Sequence, residues 1–469
     1  MLVNENRKTA IQRAWQLLEE SVVTYRGQPV GTVAAHDPET EALNYDQVFT
    51  RDFAISAFAF LLDGRPEIVR HFLATAVRLQ SHERQLDCFK PGEGLIPASF
   101  KVTDNGAGEE LFADFGEHAI ARVAPVDSGF WWLLTLQAYV HVTEDHTFLN
   151  QASVQQAIRL LLDLSMTSRF DMFPTMLVPD GSFMIDRRMG VYGYPIDIQA
   201  QFFAALCAAS DLLDADEPAN ARYRAALDER LPHLAHHVRT YYWLDLERLN
   251  QIYRYGVEEY GPAAVNKFNI YPEAIPDWLM DWLPETGGYL VGNVGPGRLD
   301  YRYFGQGNLL ACAAGLATEA QAAALMQLIA QRYDDLIGQV PLKLCFPALE
   351  GQDWRILTGC DPKNRPWSYH NGGNWPVLLW LLALVGLRTG ADELLERALS
   401  DAERRLLRDD WPEYYDGRRG RLVGQQARRH QTWSAAGYLV ACQLLERPER
   451  IELLHLGRSV EGASCAAPV

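Results

Sequence analysis

WPVLLWLLALVGLRTGADELLERALSDAERRLLR, residues 375–408, holds the pattern on which the fold turns. Its first half is apolar all round, which a helix tolerates only when it is buried on every side. Its second half is amphipathic, with apolar residues at three- and four-residue steps. RTGADE (388–393) joins the halves, and so short a link folds two helices into an antiparallel hairpin. The same alternation runs along the whole chain. Periodicity predicts about twelve helical segments, near 5–25, 52–62, 66–82, 127–142, 151–168, 195–214, 219–240, 305–317, 318–332, 375–389, 391–408 and 431–446. Those starting near 52, 127, 195, 305, 375 and 431 are apolar nearly all round or rich in small residues, as in FAISAFAFLL (53–62). Their partners are amphipathic, as in ARYRAALDERLPHLAHHV (221–238). Six buried helices alternating with six outer ones predict an all-α (α/α)6 double barrel. The alternative, an open helical solenoid, lacks a fixed-period repeat to support it. Short β-hairpin insertions are expected in the rim loops, and MLVPDGSFMI (176–185) reads as one, turning at Pro-Asp-Gly. No Gly/Ser linker divides the chain, so the expectation is one domain over 1–455 and a flexible tail over 456–469.

Composition narrows the functional classes. A formal net charge of −17 argues against nucleic-acid binding, which needs clustered Lys and Arg to neutralise phosphates. A neutral substrate is indifferent to that charge. Seven cysteines are scattered without CxxC or paired spacing, which fits reduced thiols better than a disulfide framework or a zinc site. The first residues lack the apolar core of a signal peptide, there is no N-x-[ST] sequon, and no apolar stretch is long enough to span a bilayer. A cytoplasmic protein without membrane attachment is expected. Exposed aromatics are compatible with a homo-oligomer.

The unusual residues collect in the loops before the buried helices. Asn44, Tyr45, Asp46 and Gln47, then Arg51 and Asp52, precede the first; Asp127 and Trp131-Trp132 open the second. Asp186-Arg187-Arg188 precedes the third, and DYRYFGQGN (300–308) the fourth. SYHNGGNWP (368–376) supplies His370, Asn371 and Trp375; WPEYYDG (411–417) and GQQARRHQTW (424–433) supply Glu413, Gln426 and Trp433. In an α/α barrel these loops emerge on one rim, so scattered motifs become one site on a rigid scaffold. Trp and Tyr offer flat apolar faces to pyranose C–H groups, while Asp, Asn, Gln and Arg offer planar hydrogen-bonding forks to hydroxyls. Cleaving a glycosidic bond needs two carboxyls on opposite faces of the ring. Asp46, Asp52, Asp127, Asp186, Asp197 and Glu413 are all candidates, and spacing does not choose among them. Asp52 and Asp127 also sit where helix N-caps sit. Trp131-Trp132 is partly core, and His370 lacks the HxxxH or HxH company of a zinc ligand.

Taken together, NYDQVFTRDF (44–53), DFGEHAIARVAPVDSGFWW (114–132), IDRRMGVYGYPIDIQAQFF (185–203), SYHNGGNWPVLLW (368–380), WPEYYDG and QARRHQTWSAAGYLVA (426–441) resemble the alkaline/neutral invertases, glycoside hydrolase family 100, in their bacterial and cyanobacterial form. The resemblance runs over roughly residues 5–450. It implies cytoplasmic hydrolysis of sucrose to glucose and fructose by an (α/α)6 enzyme without metal or organic cofactor. It further implies Asp186 as general acid and Glu413 as the base that activates water. The other rim residues would bind the sugars: Asn44, Tyr45, Asp46, Arg51, Asp52, Asp127, Trp131, Arg187, His370, Asn371, Trp375 and Gln426. Many family members carry Ser where His118 and Asn374 stand here, a departure that touches neither carboxylate. One tension is physical. An acid working near neutrality needs a raised pKa, whereas Arg187 and Arg188 follow Asp186 directly and cations lower a carboxyl pKa. If 184–188 is extended, Arg187 points away from Asp186 and Arg188 lies on its side. The rivals are a trehalase-like α-glucosidase, a sugar 2-epimerase working through histidines, and a non-catalytic sugar-binding protein.

Overall fold

The computed structural model describes residues 5–37, 41, 43–83, 92–106, 108–117, 123–167, 171–178, 181–185, 187–256, 266, 270–295 and 298–458. Twelve helices dominate: α1 (Glu5–Glu20), α2 (Thr50–Leu62), α3 (Glu67–Leu79), α4 (Ser128–Thr143), α5 (Ala152–Ser165), α6 (Ile196–Leu212), α7 (Ala221–Tyr241), α8 (Gly305–Ala313), α9 (Glu319–Gln331), α10 (Leu379–Thr389), α11 (Asp392–Arg408) and α12 (Thr432–Glu446). The even-numbered helices touch in sequence, α2 to α4, α4 to α6, α6 to α8, α8 to α10 and α10 to α12, and α12 returns to α2. The ring is closed. Every residue of α2 but Arg51 is buried, and α4 is buried from Ser128 to Val140, because each has ring neighbours on two sides and an outer helix behind. The odd-numbered helices back this ring. α3 lies against α2 and α4, α7 against α6, α9 against α8 and α10, and α1 against α11 and α12. Their buried residues form single stripes, as Leu395, Ala398, Leu399, Ala402 and Leu406 do on α11. Where ring helices approach closely there are glycines. A Cβ at Gly437 of α12 would lie 2.4 Å from the Val377 carbonyl oxygen, so no larger residue fits without moving backbone.

Three expectations need correction. α1 stops at Glu20 rather than near 25, and Val22–Tyr25 pairs antiparallel with Gln28–Thr32. The β-branched run Val22-Val23-Thr24 favours a strand, and Arg26-Gly27, with φ of 52° and 74°, makes the two-residue turn of a tight hairpin. The hairpin expected over 176–185 does not pair with itself among the described residues. Val178 bridges Gly193, Ser182 bridges Pro125, and Thr175–Met176 pairs with Asp171–Met172; residues 179 and 180 of the expected turn lie outside the described residues. Finally, DYRYF before α8 is no loop. It belongs to the strand Arg298–Phe304, which pairs with Tyr289–Gly295 in a four-stranded sheet flanked by Trp243–Leu244 and Cys345–Phe346. A further sheet, of Val48–Phe49, Ser99–Asp104 and Glu109–Asp114, precedes and follows α2 and α3 in the chain. Among the described residues no helix is long and apolar enough to cross a membrane.

Candidate active site

One cleft opens over the starts of the ring helices. It is lined by Asn44, Tyr45, Arg51 and Asp52 from the approach to α2 and its first turn, and by Asp127 and Ser128 from the start of α4. Phe183, Met184 and Arg188 come from the connection before α6, Tyr369, His370 and Trp375 from that before α10, and Glu413 and Trp433 from around the start of α12. Ten of the residues singled out in the sequence therefore meet here: Asn44, Tyr45, Arg51, Asp52, Asp127, Arg188, His370, Trp375, Glu413 and Trp433. The strand before α8 contributes nothing to this cleft. Its Tyr301 and Arg302 line a separate cavity.

The carboxylates are sorted by their surroundings. Asp127 is held by Arg51, whose Nε and Nη2 donate to Oδ2 and Oδ1 at 2.6 and 2.9 Å, and Trp131 Nε1 donates to Oδ2 at 3.2 Å. Trp131 is thus a buried support behind Asp127 rather than part of the wall. Neither expected cap forms: Asp127 occupies the N-cap position of α4 without a side-chain cap bond, and Phe49 is the N-cap residue of α2. Asp46 turns away to an ion pair with Lys101 and borders a neighbouring cavity with Arg13, His36 and Arg428. Asp197 is fully buried in the first turn of α6 and does not reach the cleft. Asp52 and Glu413 remain on the wall. Burial, reinforced by Glu413 and Asp127 and opposed by Arg51, pushes the Asp52 carboxyl up to about 7. Burial also raises Glu413, against the pull of Lys363 and of hydrogen bonds from Tyr45 and the backbone. Asp186 and the side chain of Arg187 lie outside the described residues. Residues 187–189 form a 3₁₀ turn, so the extended reading of 184–188 does not hold at its end; Arg188 reaches Asp361 at 3.6 Å and lies over the Tyr369 ring at 5.5 Å.

Glu413 is placed by its neighbours. The Tyr45 hydroxyl lies 3.0 and 3.1 Å from Oε1 and Oε2, and Glu413 N donates to the Arg428 carbonyl at 2.9 Å. Two strand-like bonds between Asn374 and Tyr415, at 2.9 and 2.8 Å, tie its segment to the SYHNGGNW loop. Lys343 fastens the same junction. It is fully buried and its Nζ donates to the carbonyls of Gly372 and Gly417 at 2.7 and 3.0 Å and to Asn374 Oδ1 at 2.7 Å. Burial among these neutral acceptors pushes the Lys343 ammonium down to about 7. Asn371, also fully buried, exchanges bonds with the Leu349 backbone at 2.7 and 3.0 Å and supports the loop rather than lining the cleft. Gln426, with φ of 63°, is exposed and off the cleft.

An aromatic cluster forms the remaining wall. Tyr369 stacks on His370 at 3.8 Å, Trp375 on Tyr414 at 5.2 Å, and Trp433 meets Trp375 edge-on at 5.7 Å. Phe49, Phe183 and Tyr369 were not singled out by the sequence reading; Tyr369 could have been, as the aromatic neighbour of His370 in the same motif. A cleft with rigid ring faces, an arginine–carboxylate fork and two poorly hydrated carboxyls can bind a sugar and move protons. Among the described residues no group of three or more His, Cys, Asp or Glu is placed to hold a metal ion.

Comparison with known proteins agrees. By fold, the chain is similar to a rhamnosidase from Klebsiella oxytoca (TM-score 0.56, 12% identity, covering 94% of this chain and 64% of that one). It is likewise similar to a mannosylglycerate hydrolase from Thermus thermophilus (TM-score 0.55, 13% identity, 92% and 99%). By sequence, it is 55% identical to cytosolic invertase 1 of Oryza sativa subsp. japonica over 94% of this chain and 79% of that protein. It is 53% identical to probable alkaline/neutral invertase D of Arabidopsis thaliana (95% and 84%), and 50% identical to the mitochondrial neutral/alkaline invertase 1 of Oryza sativa subsp. japonica (99% and 76%). The family model described as alkaline and neutral invertase matches residues 14–448, so the chain belongs to the alkaline and neutral invertase family and is a glycoside hydrolase.

Proposed function

We propose that this protein hydrolyses sucrose to glucose and fructose in the cytoplasm, on an (α/α)6 double barrel formed by a single domain. The observation that carries the reading is Glu413: a buried carboxylate bonded by the Tyr45 hydroxyl, on the wall of an aromatic-lined cleft, in a chain of the invertase family. Glu413 takes a proton from the attacking water at the glucosyl carbon, and Asp186 protonates the bridging oxygen as fructose leaves. The outcome is inversion, which requires the carboxyls to stand about 6.5–9.5 Å apart so that water fits between glucose and base. Asn44, Arg51, Asp52, His370 and Trp375 contact the sugar rings. Trp131 acts through Asp127 and Asn371 through the loop it braces. Met184, which precedes the IDRR motif, and Arg188, its last residue, line the cleft and support the assignment of Asp186 to this site. Neither metal nor organic cofactor enters the scheme.

The test is incubation with sucrose, trehalose and maltose, with released glucose followed by proton NMR from the first turnovers. β-Glucose from sucrose alone is expected. α-Glucose as first product would overturn inversion, and turnover of trehalose in place of sucrose would overturn the substrate. Glu413→Gln and Asp186→Asn should each lower turnover by about 10²–10⁴-fold.

A further inference from the structure

A second cavity, of about 670 Å³, lies beside the sheet that precedes α8 and shares no lining residue with the catalytic cleft. One wall is continuous aromatic surface. Trp282 stacks on Phe346 at 4.9 Å, Trp278 meets Phe346 edge-on at 6.1 Å, and Phe346 lies 5.9 Å from Trp367. Facing groups are planar forks: Asp300 accepts from Arg302 Nε at 2.9 Å, and Glu350 accepts from Trp367 Nε1 at 2.8 Å. Two polar atoms of lining residues, Arg302 Nη1 and the Tyr301 hydroxyl, are buried without any hydrogen-bond partner, a costly state that a ligand hydroxyl or a water would relieve. Charge selects the ligand class. The carboxylates of Asp281, Asp300, Glu350 and Asp353 exceed Arg302, Arg332 and Arg418 by one, so the cavity disfavours an anion and holds too little net charge to select a cation over a neutral ligand. Flat apolar faces with balanced donors and acceptors fit a neutral polyhydroxyl ring.

We propose that this cavity is a second carbohydrate site that takes a neutral pyranose. It is coupled to catalysis by a short path. Trp367 lines the second cavity and Tyr369, two residues on, lines the catalytic cleft and stacks on His370. Both hold left-handed backbone, with φ of 64° and 48°, so the connecting segment is braced by its surroundings rather than by its own preference. A ring stacked on Trp367 therefore bears on the position of Tyr369.

The test uses the full chain with Glu413→Gln, which binds sugar without turnover and so reads occupancy even if sucrose is not the substrate. Titration with sucrose and with glucose, read by saturation-transfer NMR and by crystal soaks, should show two occupied positions per chain. Trp278→Ala and the exposed Asp353→Ala should each weaken the second position by about tenfold and leave the first unchanged, with melting curves like the parent. A single occupied position, or a second one indifferent to both substitutions, would overturn the proposal. So would a change in particle mass by light scattering on Trp278→Ala with sugar binding unaltered, since the aromatic wall would then be a contact between copies. In the otherwise wild-type enzyme, Trp278→Ala should abolish any deviation from simple saturation at high sugar; its persistence would remove the coupling.

Discussion

Glu413, the base of the proposed scheme, is tuned by burial, by Lys363 and by the Tyr45 hydroxyl. Burial raises its pKa above the ordinary 4.5, and Lys363, followed by the Tyr45 hydroxyl bonding the charged form, holds that rise in check. Tyr45→Phe removes the hydroxyl's part of that check, so the Glu413 pKa rises further and the acidic limb of kcat/KM moves to higher pH. Loss of a charge-assisted bond of about 1.5–3 kcal/mol should also cost roughly ten- to a hundredfold in kcat. A loss of activity with an unmoved limb would show that Tyr45 serves only packing. Asp197 poses the complementary case. It is fully buried, and burial, helped by the nearby charge of Asp127 and opposed by the backbone N–H groups of Asp197 itself and Gly307, pushes it up to about 7 from its ordinary 3.8. The folded state thus binds its proton more tightly than the unfolded chain. Its contribution to stability is complete below pH 3.8, fades as pH rises toward 7, and is absent above. Asp197→Asn should gain on the wild type in Tm between pH 5 and pH 8, by the equivalent of at most about 3 kcal/mol. A pH-independent difference in Tm would show that this carboxyl titrates normally. Six carboxylates looked equivalent in the sequence because spacing carries no information on burial or partners. The ion pair of Asp127, the outward turn of Asp46 and the burial of Asp197 are visible only once distant segments meet.

Among elements, the helices were the most legible. The outer helices carry a periodicity that records which face is buried, and the ring helices carry an apolar character on every side that records burial all round. The rim sheets were less so. DYRYF looked like a loop because it stood between helices, yet its alternation of aromatic and charged residues is that of the strand it forms. Lys343 was not legible at all. A lysine between Leu342 and Leu344 is unremarkable until the fold buries it against Gly372, Asn374 and Gly417, where it joins the His370 loop to the Glu413 segment. Lys343→Met leaves three acceptors without their donor and leaves the two loops joined only through the Asn374–Tyr415 backbone bonds among the ties described. The expected result is a drop in Tm together with a kcat loss of about tenfold or more, and with sugar affinity less affected. Equal loss in kcat and affinity, measured by steady-state kinetics and titration, would mean general collapse of the rim instead.

At the scale of the molecule the ring must close, and the seam lies between α12 and α2, the last and first of its helices. α1 seals it from outside. Arg7 on α1 donates to Glu403 on α11 at 2.6 Å and to Glu396 at 2.9 Å, and Tyr438 on α12 lies 3.2 Å from the same Glu403 carboxylate, which is almost wholly buried. Arg7→Met would strand that carboxylate and should destabilise the fold by about 3–5 kcal/mol in urea unfolding, with Glu403→Gln on top recovering part of the loss. No recovery would assign the effect to the stem of Arg7 alone. By itself the sequence determined the twelve main helices, their alternation between buried and amphipathic, and the sugar-suited chemistry of the connecting loops, because these are local records of burial and residue type; it missed the shorter helices Leu246–Arg254, Asp277–Trp282 and Gly351–Thr358. Only tertiary structure decided which loops share the cleft, which carboxyls are spoken for, and that the strand before α8 serves a cavity of its own. Those outcomes depend on contacts between residues hundreds of positions apart, and a pattern read along one chain does not encode the distance across the ring.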